Sequence, residues 1–143
     1  MIALSKEFVR DLVLVVSPAL IASTLTAIPF ESILSVYPVP STFIWYVPWR
    51  GATASIILWL LSGALYSDKR YWLKEFFLGS AASFVAFHYW TLFIVSTRIP
   101  VTVTLLIFTV GNSPPTLDLS QLVAILTLLA FRKEIISALR RNR

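Results

Sequence analysis

His88 has the greatest capacity for chemistry, because it is the only histidine in a chain of 143 residues that has no cysteine and one methionine. It lies beside Tyr89 inside an uncharged run that ends at Arg98. An ionisable group within a membrane segment is costly and commonly functional. The favoured interpretation is nevertheless a neutral, structural His88 that bonds to Ser or Thr on a neighbouring helix. The alternative is a functional His88, in a proton relay or, with Tyr89 and Arg98, near a quinone or a haem.

The chain offers no self-contained catalytic or metal site. Without cysteine it cannot form a thiolate nucleophile or a cysteine-ligated zinc or iron–sulfur site. A haem held by two histidines would need the second one from another subunit. Phosphate-binding glycine loops, serine-hydrolase elbows and zinc-protease motifs do not occur in the sequence. We expect no catalytic residues, no metal and no cofactor held by this chain alone, and thus no enzyme.

The composition indicates a protein surrounded by lipid. Hydrophobic residues make up 57% of the chain and charged residues 13%, whereas soluble domains carry about 25% charged residues. The net charge of +5 could suggest a nucleic-acid partner, but the basic residues flank apolar segments. They therefore indicate contact with anionic lipid headgroups rather than with nucleic acid.

Four apolar segments predict an all-α integral membrane protein with one domain over residues 1–143. Small residues spaced by four, such as Gly51 with Ser55 and Gly79 with Ser83, predict close packing between helices. Each segment is near the length of about 20 residues that a bilayer core requires. The predicted spans cover about residues 12–30, 49–67, 75–97 and 114–131, and a basic tail follows at 132–143.

The connection between the third and fourth spans differs in pattern from the helices. Pro100 interrupts helix formation, and the alternation that follows predicts a short β segment within 101–110. Ser113 followed by Pro114 is typical of a helix start. The fourth helix is therefore predicted to begin there, with Asp118 near its positive end.

The distribution of positive charge predicts the orientation in the membrane. Ten Lys and Arg residues fall at the N-terminus, in the loop between the second and third spans, and in the C-terminal tail. Only Arg50 and Arg98 fall on the opposite side. Cytoplasmic segments carry an excess of Lys and Arg, so we predict a cell-membrane protein with both termini in the cytoplasm. The residues predicted to lie at the lipid interface are Trp45, Trp49, Trp72, Arg132, Lys133, Arg140 and Arg141.

The two outer connections, residues 31–50 and 98–117, are nearly free of charge, with only three charged side chains between them. Apolar surface of this kind commonly marks an interaction site. The leading hypothesis is a small accessory subunit, with a structural or assembly role, in a larger membrane complex of respiratory or other energy-transducing type. Its partners would be other membrane subunits. The alternatives are a redox subunit that uses His88 near a quinone or haem, and a small homo-oligomeric channel or transporter.

Overall fold

The computed structural model describes residues 5–29, 43–66 and 72–133. The helices are α1 (Lys6–Leu25), α2 (Tyr46–Leu65), α3 (Trp72–Ser96) and α4 (Leu119–Ala130), and the strands are β1 (Val101–Thr104), β2 (Ile107–Val110) and β3 (Thr116–Leu117). Outside the described residues lie the segment 30–42, the centre of the charged loop at 67–71, and most of the predicted basic tail, with Arg140 and Arg141. The described part of the chain is therefore mostly helical, with one small sheet.

Two of the described helices, α1 and α3, are long and apolar enough to cross a membrane. They contain 20 and 25 residues, which at 1.5 Å per residue give lengths of about 30 and 38 Å. The hydrocarbon core of a bilayer is about 30 Å thick. α4 is apolar but has only 12 residues, or about 18 Å. Of the four predicted spans, α1 and α3 are therefore candidates for crossing a membrane by length and composition, and the prediction of four spans is not confirmed.

α1 begins at Lys6 rather than at residue 12, because Ser5 provides a cap. The Ser5 hydroxyl accepts a hydrogen bond from the backbone N–H of Phe8 at 3.1 Å, which satisfies one of the free donors at a helix start. The charged first turns are exposed to solvent and do not interrupt the helix. Pro18 lies within the helix and is fully buried without ending it.

α2 and α3 pack closely as antiparallel neighbours. Near the middle of the pair, the buried hydroxyls of Ser55 and Ser83 lie 2.9 Å apart and share a hydrogen bond. One turn away, Gly51 faces Phe87 so closely that a Cβ atom on Gly51 would come within 2.6 Å of the ring. The predicted small-residue faces are therefore confirmed, because large side chains at these positions would hold the helices apart.

α1 completes a bundle of three neighbouring helices. A Cβ atom on Gly79 of α3 would lie 2.1 Å from the backbone oxygen of Val15 in α1, so this crossing requires glycine. The guanidinium of Arg50, near the start of α2, donates a hydrogen bond of 2.9 Å to the backbone oxygen of Thr26 at the end of α1. The end of α1 and the start of α2 therefore lie at the same end of the bundle.

The three strands form an antiparallel sheet in the order β1-β2-β3. A two-residue turn joins β1 to β2, and its second residue, Leu106, has a φ of 62°. The turn after β2 uses Gly111 at a φ of 57°, with its N–H bonded to the oxygen of Pro100 at 2.7 Å. The predicted β segment at 101–110 is confirmed, since alternating Val and Thr favour strands. The third strand, β3, was not predicted.

The predicted start of the fourth helix is also wrong. The hydroxyl of Ser113 accepts a hydrogen bond from the backbone N–H of Val110, which closes the turn after β2 instead of capping a helix. β3 then pairs with β2, and α4 begins only at Leu119 with Asp118 as its N-cap. The span predicted at 114–131 is therefore a strand followed by a short helix, because strand pairing competes with the local helix signal.

Candidate functional site

Asp118 is a fully buried carboxylate at the start of α4. Its Oδ1 atom accepts hydrogen bonds from the Ser120 N–H at 3.0 Å, the Ser120 hydroxyl at 2.5 Å and the Gln121 N–H at 3.2 Å. Its Oδ2 atom accepts from the Tyr89 hydroxyl and from the Gln121 Nε2 atom, both at 3.0 Å. Every one of these groups donates, which fits an ionised carboxylate that can only accept.

The protonation of Asp118 follows from the same contacts. Burial on its own raises the pKa of this carboxyl group, since it penalises the charged form. The hydrogen bonds from Ser120, Gln121 and Tyr89 outweigh burial and hold the pKa of Asp118 below its ordinary value. Asp118 precedes α4 and lies outside the two helices long enough to span. A negative charge is thus fixed beside the second half of α3.

Gln121 connects this network to the tip of the β1–β2 hairpin. Its Nε2 atom also donates to the oxygen of Thr104 at 2.8 Å, and its Oε1 atom accepts from the N–H of Leu106 at 2.9 Å. The N–H of Asp118 donates to the oxygen of Leu106 at 2.9 Å. Positive φ is uncommon for a residue such as leucine and persists only where surrounding contacts hold it. The hairpin tip is therefore fastened to the first turn of α4.

His88 lies next to this network, but its Nε2 atom makes no hydrogen bond with it. Its Nε2 atom is 3.5 Å from Oδ1 of Asp118, an oxygen that already accepts three hydrogen bonds. The Nε2 atom is buried and has no hydrogen-bond partner in the described part of the chain. The ring packs edge-on against Phe108, with 5.7 Å between ring centroids. A buried polar atom without a partner costs about 1–3 kcal/mol, so His88 is an exception that calls for an explanation.

A groove of about 560 Å³ lies beside His88. Its walls are α2, α3 and the sheet, with the first residue of α4 at one side. Along α3 it extends from Phe84 to Val95, about 16 Å at 1.5 Å per residue. Among its described lining residues His88 is the only ionisable one, and the other polar groups are threonine hydroxyls and tryptophan N–H groups. This volume falls within the range of about 300–1,000 Å³ that is usual for small-molecule sites.

The three predicted site residues have different surroundings. His88 lines the groove, whereas the hydroxyl of Tyr89 is bonded to Asp118 and Tyr89 does not line the groove. Arg98 is exposed and lies beyond the end of α3. It lines a smaller pocket of about 110 Å³. Trp45 and other residues line both this pocket and the groove. The structure thus brings His88 and Tyr89 to one carboxylate and leaves Arg98 apart.

The predicted lipid-interface residues also fall into separate groups. Trp45 and Trp49 line the groove, although Trp49 is still 43% exposed. Trp72 is exposed at the first position of α3. Arg132 and Lys133 are exposed just after α4. Two of the predicted aromatic residues therefore contribute to the candidate site as well as to the outer surface.

The sequence predictions missed Asp118, Ser120 and Gln121 as a functional unit. Two signals could have found them. Asp118 is the only acidic residue between Glu75 and Glu134, and an Asp followed three positions later by Gln matches the capping-box pattern at a helix start. Within the described residues, no group of three His, Cys, Asp or Glu side chains could hold a metal ion. The site is therefore a hydrogen-bonding cluster beside an apolar groove.

Comparison of the chain with protein-family models, with curated protein sequences and with solved structures finds no match in any of the three. The functional argument therefore depends on the geometry of the groove and on the Asp118 network.

Proposed function

We propose that this chain is a non-catalytic, multi-pass protein of the cell membrane that holds an apolar, membrane-soluble molecule in the groove. The observation that carries this proposal is the lining of the groove, which is apolar except for His88 and scattered threonine and tryptophan polar groups. One wall is α3, a helix long and apolar enough to span a bilayer. Walls of this kind favour a ligand that is removed from water and already dissolved in lipid.

Four membrane crossings, with both termini in the cytoplasm, form part of the proposal. α4 is the fourth crossing and is short: it lies beside α3 from Phe77, whose ring is 5.8 Å from that of Phe131, to Tyr89, which bonds to Asp118. In this proposal Asp118 and the sheet lie at the outer end of α4, outside the crossing itself. Irregular backbone is tolerated near a membrane where it packs on protein. The ten-to-two distribution of Lys and Arg supports the cytoplasmic placement of the termini.

An accessory role in a larger membrane complex, of respiratory or other energy-transducing type, is the second part of the proposal. The sheet region from residue 99 to 117 carries no charge, and Leu105 at the hairpin tip is 79% exposed. Exposed apolar surface of this kind fits a partner subunit. Purification in mild detergent tests this role: co-purifying membrane subunits are expected, and a lone monodisperse chain would contradict it. The channel alternative stays a prediction, which ion flux in liposomes tests.

The binding function is tested by filling the groove. Thr53 lines it from α2, and a Thr53→Phe variant places a ring in the ligand's volume. Leu61→Phe is the matched control, since Leu61 lies on the same helix and is 55% exposed. Protein purified in mild detergent is extracted and its bound apolar molecules are identified by mass spectrometry. We expect a stoichiometric molecule in the wild type and in Leu61→Phe, and its loss in Thr53→Phe. Equal content in all three proteins would refute the binding function.

A further inference from the structure

The polar side chains that line the groove are bonded to the protein or turned away from the groove. Three threonine hydroxyls donate hydrogen bonds to backbone oxygens, at 3.0 Å from Thr53, 2.9 Å from Thr91 and 3.4 Å from Thr116. The Nε2 atom of His88 is buried and faces Oδ1 of Asp118 at 3.5 Å. A ligand therefore meets mainly hydrocarbon and aromatic surface along the groove, and polar atoms placed there would lose their hydrogen bonds to water.

The length of the groove matches one hydrocarbon chain of a lipid. Along α3 the groove extends about 16 Å, from Phe84 to Val95. A lipid chain in one leaflet covers half of the hydrocarbon core, or about 15 Å. Phe84 precedes Tyr89 along α3 and so lies within the proposed crossing, whereas Val95 lies toward the outer end of the helix. The inner end of the groove is therefore at the depth of the lipid chains.

The outer end of the groove leads to a cation. Trp45, Val95 and Ile99 line both the groove and the smaller pocket, and Arg98 lines the smaller pocket. The guanidinium of Arg98 is exposed and makes no hydrogen bond or ion pair within the described part of the chain. A guanidinium has five N–H donors. An apolar channel thus ends beside a group whose donors are free to bind an anion.

We infer that the groove binds an anionic phospholipid, with one hydrocarbon chain along α3 and the headgroup phosphate on Arg98. This inference rests on the proposed binding function and adds the ligand class. Arginine binds phosphate through paired, charge-assisted hydrogen bonds. Tryptophans such as Trp45 are enriched at the headgroup level.

This site differs from the lipid contacts predicted for the basic residues near the C-terminus. Arg132 follows α4 at the end of the bundle where Phe131 contacts Phe77, whereas Arg98 lies beyond the opposite end of α3. The site also holds a lipid chain as well as a headgroup. An uncharged molecule would fill the same groove without needing Arg98, so the experiment has to separate it from an anionic lipid.

The experiment uses the full chain in mild detergent, to which dioleoyl phosphatidylglycerol or dioleoyl phosphatidylcholine is added. Native mass spectrometry counts the lipids on each protein and gives the Kd of the first one bound. The attraction of one basic side chain to anionic headgroups is worth about 1 kcal/mol, so we expect Arg98→Gln to raise the Kd for phosphatidylglycerol by about 5-fold. The Kd for phosphatidylcholine should change much less. Arg98→Lys, which keeps the charge, should recover part of the loss.

Arg132→Gln is the matched control, because Arg132 is also exposed but lies at the other end of the bundle. It should leave the Kd for phosphatidylglycerol unchanged. Thermal unfolding of the lipid-free proteins should give the same melting temperature for Arg98→Gln and the wild type, since Arg98 is exposed. If Arg98→Gln does not fold, Ile99→Glu replaces it. A carboxylate beside Arg98 should repel the phosphate and cause a similar loss of affinity.

The outcomes separate the ligand class from the proposed function. An equal Kd for phosphatidylglycerol in the wild type and Arg98→Gln, or an equal loss in Arg98→Gln and Arg132→Gln, would overturn the anionic-lipid inference. If Thr53→Phe still removes the bound molecule in that case, the groove holds an uncharged molecule and the binding function stands. If Thr53→Phe changes the binding of neither lipid, the binding function itself fails.

Discussion

Replacing Asp118 with alanine should destabilise the protein far more than removing an ordinary helix cap. Asp118 is fully buried and receives hydrogen bonds from Ser120, Gln121 and Tyr89. Through Gln121 the same network holds the hairpin tip at Leu106. The Asp118→Ala variant therefore removes a cap and also leaves several buried donors without an acceptor.

The magnitude can be worked from these contacts. Loss of an N-cap side chain costs about 1 kcal/mol. Hydrogen bonds to a charged group are worth about 1.5–3 kcal/mol each, and the Tyr89 hydroxyl and the Gln121 amide both lose one. Bonds within a network are not additive, so we expect the free energy of unfolding to fall by about 4 kcal/mol. That is a large share of the roughly 5–15 kcal/mol that stabilises a typical domain.

Ser5→Ala is the matched control, because Ser5 also caps a helix but is exposed and makes a single cap bond. Its expected cost is about 1 kcal/mol. Both variants are unfolded reversibly by SDS in mixed micelles, and the change is followed by circular dichroism. If Asp118→Ala and Ser5→Ala lower the free energy of unfolding equally, the network adds nothing and the reasoning is refuted.

Three further predictions concern packing and pH. Gly79→Ala should lower the free energy of unfolding in the same assay, because the new Cβ atom would lie 2.1 Å from the backbone of Val15. This clash should outweigh the higher helix propensity of alanine, which is worth about 1 kcal/mol. A double-mutant cycle on Ser55→Ala and Ser83→Ala should give a coupling of about 0.6 kcal/mol, as for hydrogen bonds between membrane helices. The pKa of Asp118 lies below its ordinary value in the folded state, so its stabilising contribution is complete above about pH 4 and is lost as the pH falls further. Melting temperatures measured across that range should fall more steeply for the wild type than for Asp118→Asn.

Each of these predictions has its own check. Gly63→Ala is the control for Gly79→Ala, since its Cβ atom would meet the side chain of Phe77, at 2.8 Å, rather than a backbone. A side chain can turn aside, so Gly63→Ala should cost less. A coupling near zero between Ser55 and Ser83 would mean that their hydrogen bond does not stabilise the pair. If the melting temperatures of the wild type and of Asp118→Asn fall equally as the pH is lowered, protonation of Asp118 is not linked to unfolding.

Much of the framework could be predicted from local pattern. The lengths of the uncharged runs predict α1 and α3, because a spanning helix needs a minimum number of consecutive apolar residues. The small residues at Gly51, Ser55 and Gly79 predict the close helix contacts that the structure contains. The alternation at 101–110 predicts strand rather than helix. Each of these signals depends only on neighbours in sequence.

The candidate site depends on contacts between distant parts of the chain, so local pattern could not assemble it. Ser113 and Pro114 form a good helix start by sequence, but pairing of β3 with β2 delays the helix to Leu119. Asp118 then takes the cap position, and Gln121 reaches the hairpin turn 15 residues earlier in the chain. The sequence by itself determined that His88 is the one histidine and which segments are apolar. Only the tertiary structure placed His88 beside a carboxylate that other donors already satisfy, at the wall of a groove made by three separate elements.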